Sequence, residues 1–287
     1  DPAFLSRIER LALQARRHLR GGLSGVHASR RRLPAPTVSD HRPYAVGDDL
    51  RHIDWPAYAR HDELNLKLGE TEQEIELIIA LDRSASLDWG AGETHKGRYA
   101  LRLAATLGYL GLAANDSTTV WPFAASLAKP FGPASSRARA PELLRFLSAV
   151  QPAGATAFDA VAAGLRKRNG GLLVLISDLW GGGDLRTLLK AASAPRWQTV
   201  VLHILHPEEI APTLSGPLEL EDQETGQVVA LEVDDRALEE YRERLVRWVR
   251  AVQQACNEHG ATYAGIRTDR SLERAVIPFL RRRRVLG

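Results

Sequence analysis

The chain has 287 residues, 44% of them apolar and 25% charged, with a formal net charge of +3 and a single cysteine. That balance excludes a disordered polymer, an internally disulfide-bonded scaffold and a chain whose charge alone points to nucleic acid. No apolar run reaches the roughly 18 residues that a membrane-spanning helix needs, and Cys256 reads as a small core residue in a reducing, cytoplasmic setting.

Phe4, Leu5, Ile8, Leu11, Ala12, Ala15 and Leu19 recur at helical spacing before Gly21-Gly22 and predict a first helix. The charged stretch around it lacks the apolar centre of a secretory leader. Residues 21–62 are rich in Arg, His, Pro, Gly and Asp and show no period. So long an irregular stretch is expected to be functional or to lie as a fixed cover. Residues 1–70 are therefore expected to supply a helix and an Arg/Asp-rich docked segment, and residues 71–287 the main domain.

Asn65-Leu-Lys-Leu-Gly69 alternates like a strand, and Glu76-Leu-Ile-Ile-Ala-Leu-Asp82 is a nearly continuous apolar run ending on an acid. The latter pattern belongs to a buried strand of a parallel sheet. Helices are expected at 97–114, 140–149, 158–168 and 185–193, with strands at 118–123, 171–178 and 199–205. Leu218-Glu-Leu and Val228-Val-Ala-Leu, with Thr225-Gly226 between them, predict a small hairpin insertion near 215–233. Asp235 is expected to cap a long helix whose buried stripe is Leu238, Tyr241, Leu245, Val249, Val252 and Cys256, ended by Gly260. A strand at 262–266 and a helix at 272–283 close the chain. This alternation predicts an α/β fold: a doubly wound, mostly parallel sheet with helices on both faces.

Ligands of doubly wound sheets sit at the carboxyl ends of the strands, and two buried runs here end in Asp82 and Asp178. Asp82-Arg-Ser-Ala-Ser86 offers one carboxylate and the hydroxyls of Ser84 and Ser86. Thr156, in Gly154-Ala-Thr-Ala-Phe158, adds a third hydroxyl, and Asp178 a carboxylate that acts through water. These are hard oxygen donors suited to Mg²⁺, with Mn²⁺ or Ca²⁺ as alternatives. Neutral hydroxyl ligands leave the ion much of its charge, so an open position attracts a carboxylate of another protein. The plainer reading is that Asp82 and the serines only cap the following turn.

This constellation resembles the metal-ion-dependent adhesion site of von Willebrand factor A domains. Arg42-Pro-Tyr-Ala-Val-Gly-Asp-Asp-Leu-Arg-His-Ile-Asp-Trp55, followed by Ala59-Arg60, is similar to the signature of the bacterial family called domain of unknown function 58. Ile176-Ser-Asp-Leu179, His206-Pro-Glu-Glu209 and Asp222-Gln-Glu-Thr-Gly226 also look like that family, and the likeness runs from about Gly25 to the end. Leu87 stands where the family often has Met. The resemblance implies a von Willebrand factor A-like protein, a metal-dependent adaptor for a MoxR-type AAA+ ATPase in the maturation or assembly of other proteins. A further departure is that the sequence shows none of the N-terminal membrane helices many members carry, so a soluble protein is expected.

Arg42, Tyr44, Asp48, Asp49, Arg51, Asp54, Trp55 and Arg60 alternate charge and carry aromatics. They read either as ion pairs and anchors pinning the segment down or as part of a partner surface. Arg30-Arg-Arg32 and Arg281-Arg-Arg-Arg284 read as solvated runs, with no nucleic-acid module around them. Catalysis is the runner-up, as a metal-dependent hydrolase using Asp82. Against it, Ser84 stands where a haloacid-dehalogenase-type phosphotransferase needs its second Asp. The chain also has no Gly-x-Ser-x-Gly elbow and no phosphate-cradling Gly-x-x-x-x-Gly-Lys-Ser/Thr loop.

Overall fold

A computed structural model describes residues 38–44, 53–61, 63–69, 75–181 and 184–276. The expected helix at 4–19, the arginine runs, Asp48, Asp49, Arg51 and the far part of the helix expected at 272–283 lie outside them. The described residues fall into two compact units, 38–69 and 75–276.

In the smaller unit β1 (Val38–Pro43) pairs antiparallel with β2 (Asn65–Gly69), and α1 (Trp55–His61) lies between them in the chain. Backbone bonds from Tyr44 to Leu64 and from Asp54 to Asn65, both 2.8 Å, extend the pairing. The stretch 21–62 is therefore not irregular throughout, as its composition suggests. β1 reads Val-Ser-Asp-His-Arg-Pro with no apolar alternation, and seven residues are too few for a helical period to show.

The larger unit is built on a six-stranded sheet. Its strands are β3 (Glu76–Asp82), β4 (Ser117–Phe123), β5 (Phe131–Ala134), β6 (Gly171–Ser177), β7 (Trp197–Leu205) and, last in the chain, β10 (Thr262–Arg267). Spatial order is β10-β7-β6-β3-β4-β5, all neighbours parallel except the edge pair β4–β5. The apolar runs of β3 and β6 are buried because helices cover both of their faces. The helices in chain order are α2 (Lys96–Ala113), α3 (Ala140–Ser148), α4 (Phe158–Leu165), α5 (Leu185–Ala191), α6 (Pro207–Ile210), α7 (Asp235–Glu258) and α8 (Leu272–Ala275). On one face Ile78 and Ala80 of β3 pack with Phe158, Val161 and Leu165 of α4, Leu188 and Leu189 of α5 and Val252 and Cys256 of α7. On the other, Leu77 and Ile79 meet α2, whose Gly108 and Gly111 leave no room for a side chain.

β5 was not expected: Phe-Gly-Pro-Ala gives no strand signal, and Pro133 is tolerated because it sits in an edge strand. The hairpin forms as β8 (Gly216–Glu221) and β9 (Val228–Val233), paired antiparallel apart from the main sheet. The cap of α7 is Asp234, one residue before the expected Asp235, with its carboxylate accepting the Ala237 N–H at 2.7 Å. Gly260 follows α7 with φ +69°, the left-handed stop that its position suggests.

The chain enters the sheet at β3, extends to β4 and β5 on one side, then returns to place β6 on the other. Strand order therefore reverses between β3 and β6, and the carboxyl ends there carry Asp82 and Asp178.

Candidate metal centre

Asp82 ends β3 and is 2% exposed. Its Oδ1 accepts the Ser84 N–H at 2.8 Å, and its Oδ2 accepts the Ser177 hydroxyl at 2.5 Å and the Thr156 hydroxyl at 3.1 Å. Burial, and next the charge of Asp178, still push its pKa from 3.8 up to about 6. The carboxylate is thus held in place by donors but short of positive charge.

The loop after β3 is stitched to the loop before α4. Ala85 donates to the Gly154 carbonyl at 2.8 Å and Ala153 to the Arg83 carbonyl at 2.7 Å. Gly154 turns with φ +79°, and these bonds bring Thr156 over Asp82. Residues 85–87 then form a single 3₁₀ turn that points Ser86 toward Ser84, with their hydroxyl oxygens 3.0 Å apart. The Ser86 hydroxyl donates to Asp178 Oδ1 at 3.3 Å. Asp82, Ser84, Ser86, Thr156 and Asp178 are thereby brought into one hydrogen-bonded group. Ser84, Thr156 and Asp178 are buried and Ser86 half-exposed.

Asp178 is held from below. Its Oδ2 takes the ammonium of Lys96 at 2.6 Å, and the same ammonium reaches Glu209 Oε1 at 2.8 Å. Burial nevertheless holds Asp178 above its ordinary pKa. The next residue, Leu179, has φ +59°, a left-handed conformation costly for a bulky side chain. Its N–H bonds Ser177 Oγ at 2.9 Å, and Trp180 N–H bonds Asp178 Oδ1 at 3.2 Å, so the strained turn aims the carboxylate. Glu209 completes a capping box on α6 and also accepts the Trp180 indole N–H at 3.2 Å. Trp180 stacks on Trp248 of α7 with ring centres 4.8 Å apart.

Lys96 and Trp180 are not marked by any sequence pattern, and Ser177, Glu209 and Glu224 stand only inside motif strings. Lys96 carries no local signal because it opens a helix far along the chain from either acid. Ser177 could have been found as the hydroxyl directly before the strand-terminal Asp178.

The donor set fits a hard divalent cation. At a metal–oxygen distance of about 2.1 Å, adjacent ligands of an octahedron lie about 3.0 Å apart. The Ser84–Ser86 and Asp82–Thr156 oxygen pairs have that spacing. Among the described residues no three His, Cys, Asp or Glu side chains gather into a metal site; the oxygens gathered here belong to the carboxylates of Asp82 and Asp178 and the hydroxyls of Ser84, Ser86 and Thr156.

Of the segment around Arg42, residues 42–44 and 53–60 are among those described. Arg42 lies in β1 opposite Leu66. Asp54 is buried and its Oδ1 accepts the Ala57 N–H at 3.1 Å, which caps α1. Trp55 and Arg60 are exposed, Trp55 meets the Tyr58 ring edge-on at 6.2 Å, and Arg60 Nε donates to the Pro56 carbonyl at 3.1 Å. Tyr44 is half-buried.

The chain is 27% identical over 292 residues to the uncharacterized protein Rv1480 of Mycobacterium tuberculosis and to the uncharacterized protein Mb1516 of Mycobacterium bovis, covering 99% of this chain and 91% of each relative. Among solved structures it is similar to the conserved hypothetical protein BatB from Bacteroides thetaiotaomicron (18% identity, TM-score 0.48, 74% of this chain and 100% of that one). It is also similar to von Willebrand factor type A from Catenulispora acidiphila (12% identity, TM-score 0.40, 78% of this chain and 43% of that one). The α/β architecture itself follows from the strand order. With residues 40–253 matching its profile, the chain belongs to the family described as protein of unknown function DUF58.

Proposed function

We propose that this chain is a cation-dependent protein-interaction module, and that it serves as an adaptor for a MoxR-type AAA+ ATPase in the maturation or assembly of other proteins. The observation that carries the reading is the gathering of Asp82, Ser84, Ser86, Thr156 and Asp178 at the switch point, around a buried carboxylate whose pKa is pushed up to about 6. A bound Mg²⁺ or Mn²⁺ would supply a positive centre with a coordination position left for a partner's carboxylate. Ser84, Ser86 and Thr156 offer it neutral oxygens, Asp82 offers the charge, and Asp178 orients Ser86. Lys96 compensates Asp178 from the protein side, so the outward field of the site comes from the cation.

The test is co-purification with the MoxR-type ATPase of the same organism. Wild type is expected to retain it in Mg²⁺ and release it in EDTA, while Asp82→Ala, folded by circular dichroism, fails to retain it at all. Retention by Asp82→Ala equal to that of wild type would sink the metal-dependent reading. No retention in any condition would sink the choice of partner.

A further inference from the structure

Glu224 sits at the tip of the β8–β9 hairpin, yet it is the single residue between Glu219 and Ala230 that is not exposed. The turn is built to direct it. Asp222 Oδ1 accepts the N–H of Glu224 at 2.8 Å and of Thr225 at 3.1 Å, and Gly226 closes the turn with φ +69°. The carboxylate then enters the mouth of the centre, with Oε1 3.4 Å from Thr156 Oγ1. A side chain at Gly181 would lie 2.9 Å from Glu224 Oε2 and 3.0 Å from Thr156 Cβ, so glycine keeps the approach open.

The hydroxyl of Thr156 faces two carboxylates, Asp82 Oδ2 at 3.1 Å and Glu224 Oε1 at 3.4 Å, and has one proton to give. One of the two acid oxygens therefore looks at a lone pair. Asp82 and Glu224 both face the hydroxyl of Thr156, Asp178 takes that of Ser86, and the ammonium of Lys96 is taken up by Asp178 and Glu209.

We infer that Glu224 is a ligand supplied by the chain itself: its carboxylate occupies the coordination position that a partner's acid would use, and a partner engages the centre by displacing the hairpin turn. This rests on the cation-dependent reading above and adds its regulation. A carboxylate on this hairpin suits the role, because among the described residues β8 and β9 pair only with each other and can shift without breaking the main sheet.

Mn²⁺ alone is the probe. Wild type, Glu224→Gln and Asp82→Ala are titrated by calorimetry, and the water bound to the ion is followed by proton relaxation. Loss of the internal ligand is expected to weaken Mn²⁺ binding about tenfold and to add one exchanging water to the bound ion. In Glu224→Gln, acetate is expected to displace that added water, whereas in wild type acetate leaves the hydration unchanged. Asp82→Ala is expected to bind no Mn²⁺. Equal affinity and hydration in wild type and Glu224→Gln, both lost in Asp82→Ala, would overturn the role of Glu224 and leave the metal centre standing. Absence of Mn²⁺ binding in wild type would overturn the centre and the internal ligand together.

Discussion

The ammonium of Lys96 is 1% exposed and lies between Asp178 Oδ2 at 2.6 Å and Glu209 Oε1 at 2.8 Å. Removing one member of such a buried pair strands the others, at about 3–5 kcal/mol. Lys96→Met is therefore expected to lower stability by about that amount in urea unfolding; a loss below about 1 kcal/mol would mean that water replaces the ammonium. Asp82 gives a pH dependence of definite sign. Its pKa is about 6 in the folded protein against 3.8 ordinarily, so the folded state holds the extra proton between those values. That contribution is fully present below 3.8 and is lost as pH rises through about 6. The shift corresponds to about 3 kcal/mol. In EDTA, wild type measured against Asp82→Asn is expected to lose about that much stability between pH 4 and pH 7, and a flat difference would contradict the burial argument. The residues of the centre that could be read from sequence, Asp82, Ser84, Ser86, Thr156 and Asp178, lie at strand ends or before a helix, where local pattern marks them. Lys96, Glu209 and Glu224 come from three other elements, and only tertiary folding brings them near.

At the scale of elements, runs such as Glu76–Asp82 and Gly171–Ser177 announce themselves because both faces are buried and nearly every residue must be apolar. β1 and β5 are silent for the opposite reason: one has a polar sequence in a two-stranded pairing, the other is a four-residue edge interrupted by proline. The glycines of α2 look like flaws in a helix until its packing is known. A Cβ at Gly111 would lie 2.6 Å from Leu77 Cδ2 and closer still to the Thr118 hydroxyl. Gly111→Ala gains about 1 kcal/mol of helix propensity but has to push α2 off β3 and β4. The expected net outcome is a loss of about 1–2 kcal/mol in chemical denaturation. A gain would show that the helix can slide to make room.

The larger unit as a whole should register the cation as any ligand that binds only the folded form. At a hundred times its dissociation constant, Mg²⁺ would add about 2.7 kcal/mol, which for a unit of this size raises Tm by roughly 5–10 °C. The rise is expected in wild type and absent in Asp82→Ala, by scanning calorimetry. An equal rise in both would assign the stabilisation to ions elsewhere on the surface. No helix among the described residues is long and apolar enough to cross a membrane. The indole of Trp180 gives the molecule a further property. It donates to the same Glu209 oxygen that receives the Lys96 ammonium, and Lys96 is also the partner of Asp178. A positive charge arriving beside Asp178 therefore alters the electric field at one stacked indole. The protein carries its own optical reporter: its tryptophan emission should shift on adding Mg²⁺, and the shift should vanish in Trp180→Phe while the rise in Tm survives.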